Sequence, residues 1–474
     1  MFKTVLLGMG AWLLAAAAAV AGPCDGAPAA DEPRTLILAL DGVPFRVVRT
    51  VREMGAFEGW GETRPMVSPF PSMTNVGFAA ILSPFGAPPI PGYELRRYDR
   101  ERNVVTGGGI RDSRFAWRKE FDLQQKGLWS KVGLYMAPRR NVTKEMRQLR
   151  RFLLDSTDRI VTVLVSSTDP LTHFHGDAAT ARALLGVAEE LELTRRVHRD
   201  VTGRELEIVM VSDHGNSPHK VRRADGIKKS LRRAGLRPSK RLVRPDDVIT
   251  VTYGVVGYGV LYLSPDRAEA AARSIVDSEG VHLAAWRSAD GEMRVRSSDG
   301  EARIRWRNDG PQRSFAYDVG SGDPLELGVA VERMRRAGVV GTDGFARRDD
   351  WFEWTAFERY PDAVVRLVDS LGGAWVSNSA TVIFSFEPGF AWGIKAAEVG
   401  AWLRAGKLEE THGSLDRASS WGFFLASDPR LDASRAVSAE QALRPWAELS
   451  RCRSTALVRL GTAGDGLHAP GHAR

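Results

Sequence analysis

Residues 35–42, TLILALDG, form a short apolar run that ends abruptly in Asp41 and a glycine. A run of this kind, bounded by turn residues, is typical of a strand buried on both faces of a parallel sheet. The same pattern returns at 160–165, IVTVLV, and at 206–211, LEIVMV. The segment 177–201 between them has apolar residues at helical spacing. Strand, helix and strand in this order predict a right-handed crossover and a parallel sheet.

The region from 273 to 348 follows a different pattern, in which polar and apolar residues alternate between Asp-Gly and Asn-Asp-Gly turns. This alternation is typical of antiparallel hairpins and predicts a smaller β-rich part. The sequence therefore predicts a discontinuous α/β core formed by 34–265 and 360–435. A β-rich insertion or cap is predicted at 266–359, and a C-terminal helix with a tail at 436–474.

The charge of the chain argues against one class of partner. The 474 residues carry a formal net charge of +8, but the basic residues are spread along the sequence. A basic stripe interleaved with aromatic residues, which would indicate a nucleic-acid groove, is not seen. We expect a small-molecule substrate and no specific nucleic-acid partner, and the sequence leaves the oligomeric state open.

The N-terminus has the composition of an export signal. One lysine precedes an apolar run from Val5 to Val20, which is followed by small residues. This predicts a cleaved signal peptide over 1–21 and a periplasmic or secreted protein without a transmembrane segment after cleavage. Cys24 and Cys452 are the only cysteines. The sequence does not decide whether Cys24 is lipidated, free or bridged to Cys452.

Several carboxylates and imidazoles follow the predicted strands. In open α/β sheets ligands bind at the carboxyl ends of the strands, so these side chains are expected to meet at one edge. Carboxylates and imidazoles are the usual zinc ligands of hydrolases. Taken singly, each is more often a strand end, a turn residue or a surface side chain. The candidates are Asp41, Asp169, His173, Asp213, His214 and His412.

Thr74 lies in PSMTN, residues 71–75, just before an apolar run that predicts a helix. Threonine is an ordinary N-cap residue, so a purely structural role is the simpler interpretation. A hydroxyl at a helix N-terminus beside a metal is also well placed to act as a nucleophile towards an anion.

The segments LALDG, PSMTN, DPLTHFHG, VSDHG and THGSLDR, in this order, resemble the alkaline phosphatase superfamily. They are most similar to its nucleotide pyrophosphatase/phosphodiesterase and phosphonoacetate hydrolase branch. The resemblance covers the chain from about Thr35 to Asp428 and depends on the order of the motifs, because none is specific alone. It implies a three-layer α/β/α sandwich with a mostly parallel central sheet.

The resemblance also implies a mechanism. One zinc ion would be held by Asp41, Thr74, Asp213 and His214, and a second by Asp169, His173 and His412. Other divalent metals are possible at such sites. Thr74 would attack phosphorus and form a covalent phospho-threonine that water then hydrolyses. Asn75 and Tyr98 are the expected substrate-binding residues.

The chain also departs from the family pattern. Thr172 stands where diesterases have glycine, and Glu94, Leu95 and Arg96 occupy the region in which a phosphoryl-binding asparagine is expected. Either Asn75 or an arginine takes that role, or the anion is held differently. Three alternatives therefore remain open beside a phosphodiesterase: a phosphomonoesterase, a phosphonate hydrolase on the same metal site, and a non-catalytic metal-binding relative. A threonine nucleophile argues against a sulfatase.

Overall fold

The computed structural model describes residues 33–108, 115–125, 134, 136–309, 312–393, 408–431 and 435–450. The chain divides into two compact units. Glu32–Arg444 contains every element and site described below. The other unit joins Met1–Asp31 to Pro445–Arg474, and of it only residues 445–450, which are helical, are described. The predicted signal peptide and both cysteines lie outside the described residues.

The strands and helices are numbered in chain order. Strands β1 to β19 are Arg34–Leu40, Arg64–Val67, Arg96–Asp99, Val104–Gly107, Ile160–Val165, Leu206–Val211, Arg222–Arg223, Arg237–Pro238, Asp247–Val251, Tyr258–Leu263, Val281–Arg287, Met293–Ser297, Gly300–Asp309, Gln312–Val319, Ala346–Arg347, Val382–Phe386, Phe390–Ala391, Trp421–Ala426 and Val437–Ser438. Helices α1 to α10 are Phe45–Glu53, Thr74–Ile81, Pro138–Asp155, Thr168–Thr202, Ile227–Arg233, Ala268–Val276, Gly328–Arg336, Arg348–Thr355, Ala363–Gly372 and Arg417–Ser420.

A six-stranded sheet carries the three strands predicted from sequence. Its order is β19-β2-β18-β6-β1-β5, and β1 lies between β5 and β6 and runs parallel to both. Strand β18 is antiparallel to both of its neighbours, β2 and β6. Strands β19 and β2 are parallel to each other. The predicted α/β fold class with a mostly parallel sheet is confirmed. The carboxyl ends of β1, β5 and β6 therefore open on the same edge.

One face of this sheet is covered by α1, α3 and α4. Leu36, Leu38 and Leu40 alternate along β1 and belong to one buried apolar cluster with residues of these helices, such as Leu149 and Leu184. The period-two alternation of a strand puts all three leucines on the same face. Burial of this apolar surface fixes the strands and, with them, the residues that follow each strand.

The second sheet has nine strands in the order β15-β14-β13-β12-β11-β16-β10-β9-β8. Its strands from 281 to 347 come from the region predicted to be β-rich, and their mutual pairings are antiparallel. The sheet also takes in β8 to β10 and β16, which precede and follow that region. The boundaries at 266 and 359 remain a prediction.

No helix among the described residues combines the length and the apolar character needed to cross a bilayer.

Candidate metal centre

The structure brings all of the predicted ligand residues to one place. Asp41 directly follows β1, Asp213 and His214 follow β6, and Asp169 and His173 lie in the first turns of α4, just after β5. His412 comes from the loop before α10. The adjacency of the three parallel strands explains most of this convergence.

Thr74 does not cap its helix. The N-cap of α2 is Met73, and no side chain caps this helix end. The Thr74 hydroxyl instead lies 3.1 Å from Asp41 Oδ1 and 3.2 Å from His214 Nε2. The simpler interpretation of Thr74 as an N-cap is therefore wrong, because the hydroxyl belongs to the carboxylate and imidazole cluster.

The carboxylates and imidazoles of the cluster lie within a few ångströms of one another. His214 Nε2 is 3.2 Å from Asp213 Oδ2 and 3.9 Å from Asp41 Oδ1. Asp169 Oδ1 is 3.3 Å from His173 Nε2 and 3.8 Å from His412 Nε2. Two sets of donor atoms lie within 4.8 Å of one another: Asp41, Asp213 and His214, and Asp169, His214 and His412.

Each of the three imidazoles is oriented by a backbone carbonyl. The Nδ1 atoms of His173, His214 and His412 lie 2.7, 3.0 and 2.8 Å from the carbonyl oxygens of Glu410, Gly215 and Ser72. A carbonyl oxygen can only accept, so Nδ1 carries the proton in each ring. In the neutral rings the Nε2 lone pairs consequently face the carboxylates, which is the arrangement of metal-binding histidines.

Two carboxylate oxygens in the cluster have no hydrogen-bond partner. Asp169 Oδ1 and Asp213 Oδ2 are both buried, and neither accepts a hydrogen bond in the described part of the chain. A buried carboxylate oxygen without a partner is costly unless a cation completes it. The side chains present therefore fit a divalent metal.

Gly42 permits this close packing. A Cβ atom at this position would lie 2.4 Å from Asp169 Oδ1, and the backbone φ of +64° disfavours other residues. The amide of Gly42 also donates to Asp213 Oδ1 over 3.0 Å. The glycine after Asp41 thus lets the carboxyl groups of three strand ends approach one another.

The proton affinities in the cluster reflect burial and crowding. Burial, with the nearby charges of Asp213 and Asp169, raises the pKa of Asp41 well above its usual range. Burial raises the pKa of Asp213 to about 6, although His214 and the Gly42 amide oppose the rise. Burial and the rings of His214 and His173 lower the pKa of His412 far below its ordinary value. The imidazole of His412 is therefore neutral at pH 7, as a metal ligand must be.

Arg46 ties together the segments that carry the ligands, and the sequence analysis did not single it out. Its guanidinium makes two hydrogen bonds of 2.7 Å to Asp177 and a third of 2.7 Å to Glu410. It also donates to the carbonyl of Asn216. Asp177 follows the Gly176 kink of α4, so one side chain links the loops after β1 and β6, this kink and the loop of His412. Only the structure distinguishes Arg46 from the many exposed arginines.

The two predicted substrate-binding residues differ in position. Asn75 is half-buried beside Thr74, and its side chain makes no hydrogen bond within the described ranges. Tyr98 is 3% exposed, its ring lies 5.0 Å from that of Tyr262, and its hydroxyl donates to Asn103 over 2.8 Å. None of these contacts of Tyr98 involves the cluster, and its substrate role remains a prediction.

No protein-family model matches the chain, and no curated protein matches it. Solved structures do. Human ectonucleotide pyrophosphatase/phosphodiesterase 5 is 10% identical, with a TM-score of 0.47 over 89% of this chain and 95% of that one. Phosphonoacetate hydrolase from Sinorhizobium meliloti 1021, in complex with phosphonoacetate, is 12% identical, with a TM-score of 0.47 over 88% and 96%.

A third match is the murine ectonucleotide pyrophosphatase/phosphodiesterase 5 in complex with AMP, at 10% identity and a TM-score of 0.43 over 89% and 95% of the two chains. These proteins represent the two enzyme types that the sequence motifs resemble. At such identities and scores the similarity says nothing about the activity of this chain. Function has to be inferred from its side chains.

Proposed function

We propose that this chain is an exported, metal-dependent hydrolase of phosphate esters, of the phosphodiesterase or nucleotide pyrophosphatase type, in which Thr74 is the nucleophile. The observation that carries the proposal is the position of the Thr74 hydroxyl, 3.1 Å from Asp41 and 3.2 Å from His214 at the start of α2. This hydroxyl does not cap its helix, and it contacts two candidate metal ligands. It is therefore positioned to act as a nucleophile.

The proposed ligand sets follow the family pattern. Asp41, Thr74, Asp213 and His214 would hold one zinc ion, and Asp169, His173 and His412 the other. Two observations support this assignment. Two buried carboxylate oxygens have no hydrogen-bond partner among the described residues, and three imidazoles bind carbonyl oxygens through Nδ1. Bound there, the ions would favour ionisation of the hydroxyl and of water and would polarise the phosphoryl oxygens.

The chain's own residues then account for the bond changes. Thr74 Oγ1 forms a bond to phosphorus while the bond from phosphorus to the leaving oxygen breaks, and the leaving oxygen takes a proton from solvent. The Thr74 proton passes to Asp41 Oδ1, 3.1 Å away, because His214 Nε2 would be occupied as a metal ligand. The N-terminal amides of α2 orient the anionic oxygens. Water then attacks phosphorus, the bond to Thr74 breaks and the hydroxyl is restored.

Metal analysis combined with a substrate panel tests the proposal. The purified mature protein is assayed for bound zinc, manganese and iron, and for turnover of p-nitrophenyl phosphate, bis-p-nitrophenyl phosphate, a nucleotide diester and phosphonoacetate. We expect close to two metal ions per chain and turnover of a phosphodiester that a chelator abolishes. Turnover of phosphonoacetate alone would assign a phosphonate hydrolase. A metal-loaded protein that turns over none of the four would be a binding protein, and the proposal would be wrong.

A further inference from the structure

Residues 220–244, which we call the basic segment, carry an unusual concentration of positive charge. They contain eleven lysines and arginines and one acidic residue, Asp225. The other 449 residues hold 55 basic and 57 acidic side chains. Basic residues therefore occur throughout the sequence, but the whole positive excess of the chain lies in these 25 residues.

Most of these cations have no counter-ion in the part of the chain that the structure describes. Arg222, Arg223 and Arg237 form ion pairs with Glu279, Asp225 and Asp247. The other eight have no ion-pair partner there. Their charge is left to water or to an anionic partner from outside the chain.

Helix α5 directs four of the unpaired cations away from the protein. Ile227 and Leu231 are buried in an apolar cluster of the second sheet, and they fix the orientation of the helix. The four exposed cations are Lys228, Lys229, Arg232 and Arg233. Helical spacing places them together on the side opposite the buried pair, and like charges four residues apart destabilise a helix. An anionic surface would offset this repulsion.

The loop after β8 adds an apolar side chain to the basic surface. Strand β8 is the edge of the nine-stranded sheet. Val243 follows it and is 78% exposed. A single exposed valine is common, but this one lies among three exposed and unpaired cations. These cations are Lys240, Arg241 and Arg244.

The backbone around Val243 is fixed on two sides. The Leu242 amide donates to Asn103 Oδ1 over 2.8 Å, and Asn103 Nδ2 donates back to the Leu242 carbonyl over 2.9 Å. The amides of Val243 and Arg244 both donate to Asp247 Oδ2 over 2.8 Å. The loop therefore presents the valine to solvent while its own amides are satisfied.

We propose that the basic segment binds the surface of a bilayer that contains anionic phospholipids, with Val243 inserted among the headgroups. Clustered lysines and arginines are attracted to such surfaces, and an apolar side chain beside them adds burial at the interface. Residues 220–252 contain no aromatic residue, so the segment lacks the stacking platforms of proteins that bind single-stranded nucleic acids. A duplex would leave Val243 in water. The inference is independent of the proposed function.

Co-sedimentation of the mature protein with vesicles tests the inference. One set of vesicles is phosphatidylcholine alone, and in the other one lipid in four is phosphatidylglycerol. The helix variant combines Lys228→Gln, Lys229→Gln, Arg232→Gln and Arg233→Gln. The matched control removes four exposed cations of α3 that also lack ion pairs in the described chain, and it combines Arg139→Gln, Arg140→Gln, Lys144→Gln and Arg147→Gln. All proteins share the same termini, so any contribution of the termini cancels.

We expect the unaltered protein to bind the anionic vesicles and not the neutral ones. Each basic residue near an anionic surface strengthens binding about fivefold, so the helix variant should bind about 100-fold more weakly or worse. The control variant should bind much more tightly than the helix variant. Sodium chloride at about 1 M, where the screening length is about 3 Å, should release the unaltered protein.

A second pair of variants keeps the inference testable if the helix variant unfolds. Val243→Ser should weaken binding to the anionic vesicles about threefold, because less apolar surface enters the interface. Val329→Ser is its control, because Val329 is 75% exposed but lies in α7. Melting temperature and turnover of a soluble ester should be the same in both variants and in the unaltered protein.

Three results would overturn the inference. The first is equal binding to neutral and anionic vesicles, and the second is equal weakening by the helix variant and its control. The third is binding to duplex DNA that is tighter than binding to anionic vesicles at the same salt concentration, which would assign a nucleic acid as the partner. Because turnover of a soluble ester is measured separately, each of these results would leave the proposed function standing.

Discussion

The rings of His214 and His412 stack with centroids 3.9 Å apart and planes 21° apart. Two imidazolium ions would repel each other strongly at this distance. Both rings use Nδ1–H to bind a backbone carbonyl, so both can be neutral and direct Nε2 towards carboxylates. Each Nε2 lone pair then faces a carboxylate oxygen, and a cation bound between the two atoms stabilises this arrangement. Because the folded state holds these groups together, metal binding is coupled to folding.

Metal removal should lower the stability of the protein measurably. At free zinc about 1,000-fold above the dissociation constant, a bound ion adds about 4 kcal/mol to the free energy of unfolding. We expect the melting temperature to fall on chelation and to recover when zinc is restored. His412→Asn should show a smaller response, because it removes one ligand of one proposed ion and leaves the ligands of the other in place. His198→Asn is the control, because His198 is also buried but binds the Arg204 carbonyl. A chelator effect in His412→Asn as large as that in His198→Asn would remove His412 from the site.

Thr74→Ala should separate catalysis from stability. Because Met73 and not Thr74 is the N-cap of α2, alanine at this first helical position carries no capping penalty. We expect turnover to fall to background, zinc content to stay near that of the unaltered protein, and the free energy of unfolding to change by less than about 1 kcal/mol. Thr74→Ser, which keeps the oxygen, should retain turnover. Turnover that survives in Thr74→Ala would show that another group attacks phosphorus.

Arg46→Ala should weaken metal binding from outside the ligand set. It removes the bonds to Asp177, Glu410 and the Asn216 carbonyl that hold the ligand loops together. Since Glu410 is 6% exposed and Arg46 28%, we expect a loss of about 2 kcal/mol in the free energy of unfolding, between the values for exposed and buried ion pairs.

The zinc dissociation constant of Arg46→Ala, measured by competition with a chromogenic chelator, should rise. Arg49→Ala is the matched control, because Arg49 is in the same helix and its ion pair among the described residues is an exposed contact of 3.6 Å with Glu53. Equal zinc affinity in the two variants would show that Arg46 stabilises the fold without positioning the ligands.

The sequence predicted the sheet edge at which the cluster lies because its signals are local. Each of β1, β5 and β6 is a continuous apolar run with polar residues directly after it, and parallel pairing then brings Asp41, Asp169 and Asp213 together. The second sheet could not be assembled in this way. Its strand β16 pairs with β10 and β11, which lie far from β16 in the sequence. The spacing of apolar residues within a strand does not indicate which distant strand it pairs with.

The residues that sequence analysis missed are the arginines. With 66 lysines and arginines in the chain, a basic residue carries little information by itself. Arg46 differs from most of the others in the groups that surround its guanidinium, and these depend on tertiary packing.

Glu145 should make stability depend on pH at a site apart from the metal ligands. It lies in α3, is 4% exposed, and accepts hydrogen bonds from the amides of Ser166 and Ser167, over 3.2 and 3.3 Å. Burial raises its pKa from 4.5 to about 7. Between these values the folded state binds more protons than the unfolded chain. The contribution of Glu145 to stability is therefore full below pH 4.5 and is lost as pH rises towards 7.

Glu145→Gln removes this titration, so the difference in unfolding free energy between the two proteins isolates it. The free energy of unfolding of both proteins is measured by urea unfolding from pH 4.5 to 8. Relative to the unaltered protein, the value for Glu145→Gln should rise by about 3 kcal/mol as pH increases and should then become constant. Glutamine places an amide group near one of the two serine amides, which adds an offset that does not vary with pH. A difference that stays constant from pH 4.5 to 8 would mean that Glu145 is ionised in the folded protein throughout, with its charge stabilised by the amides of Ser166 and Ser167.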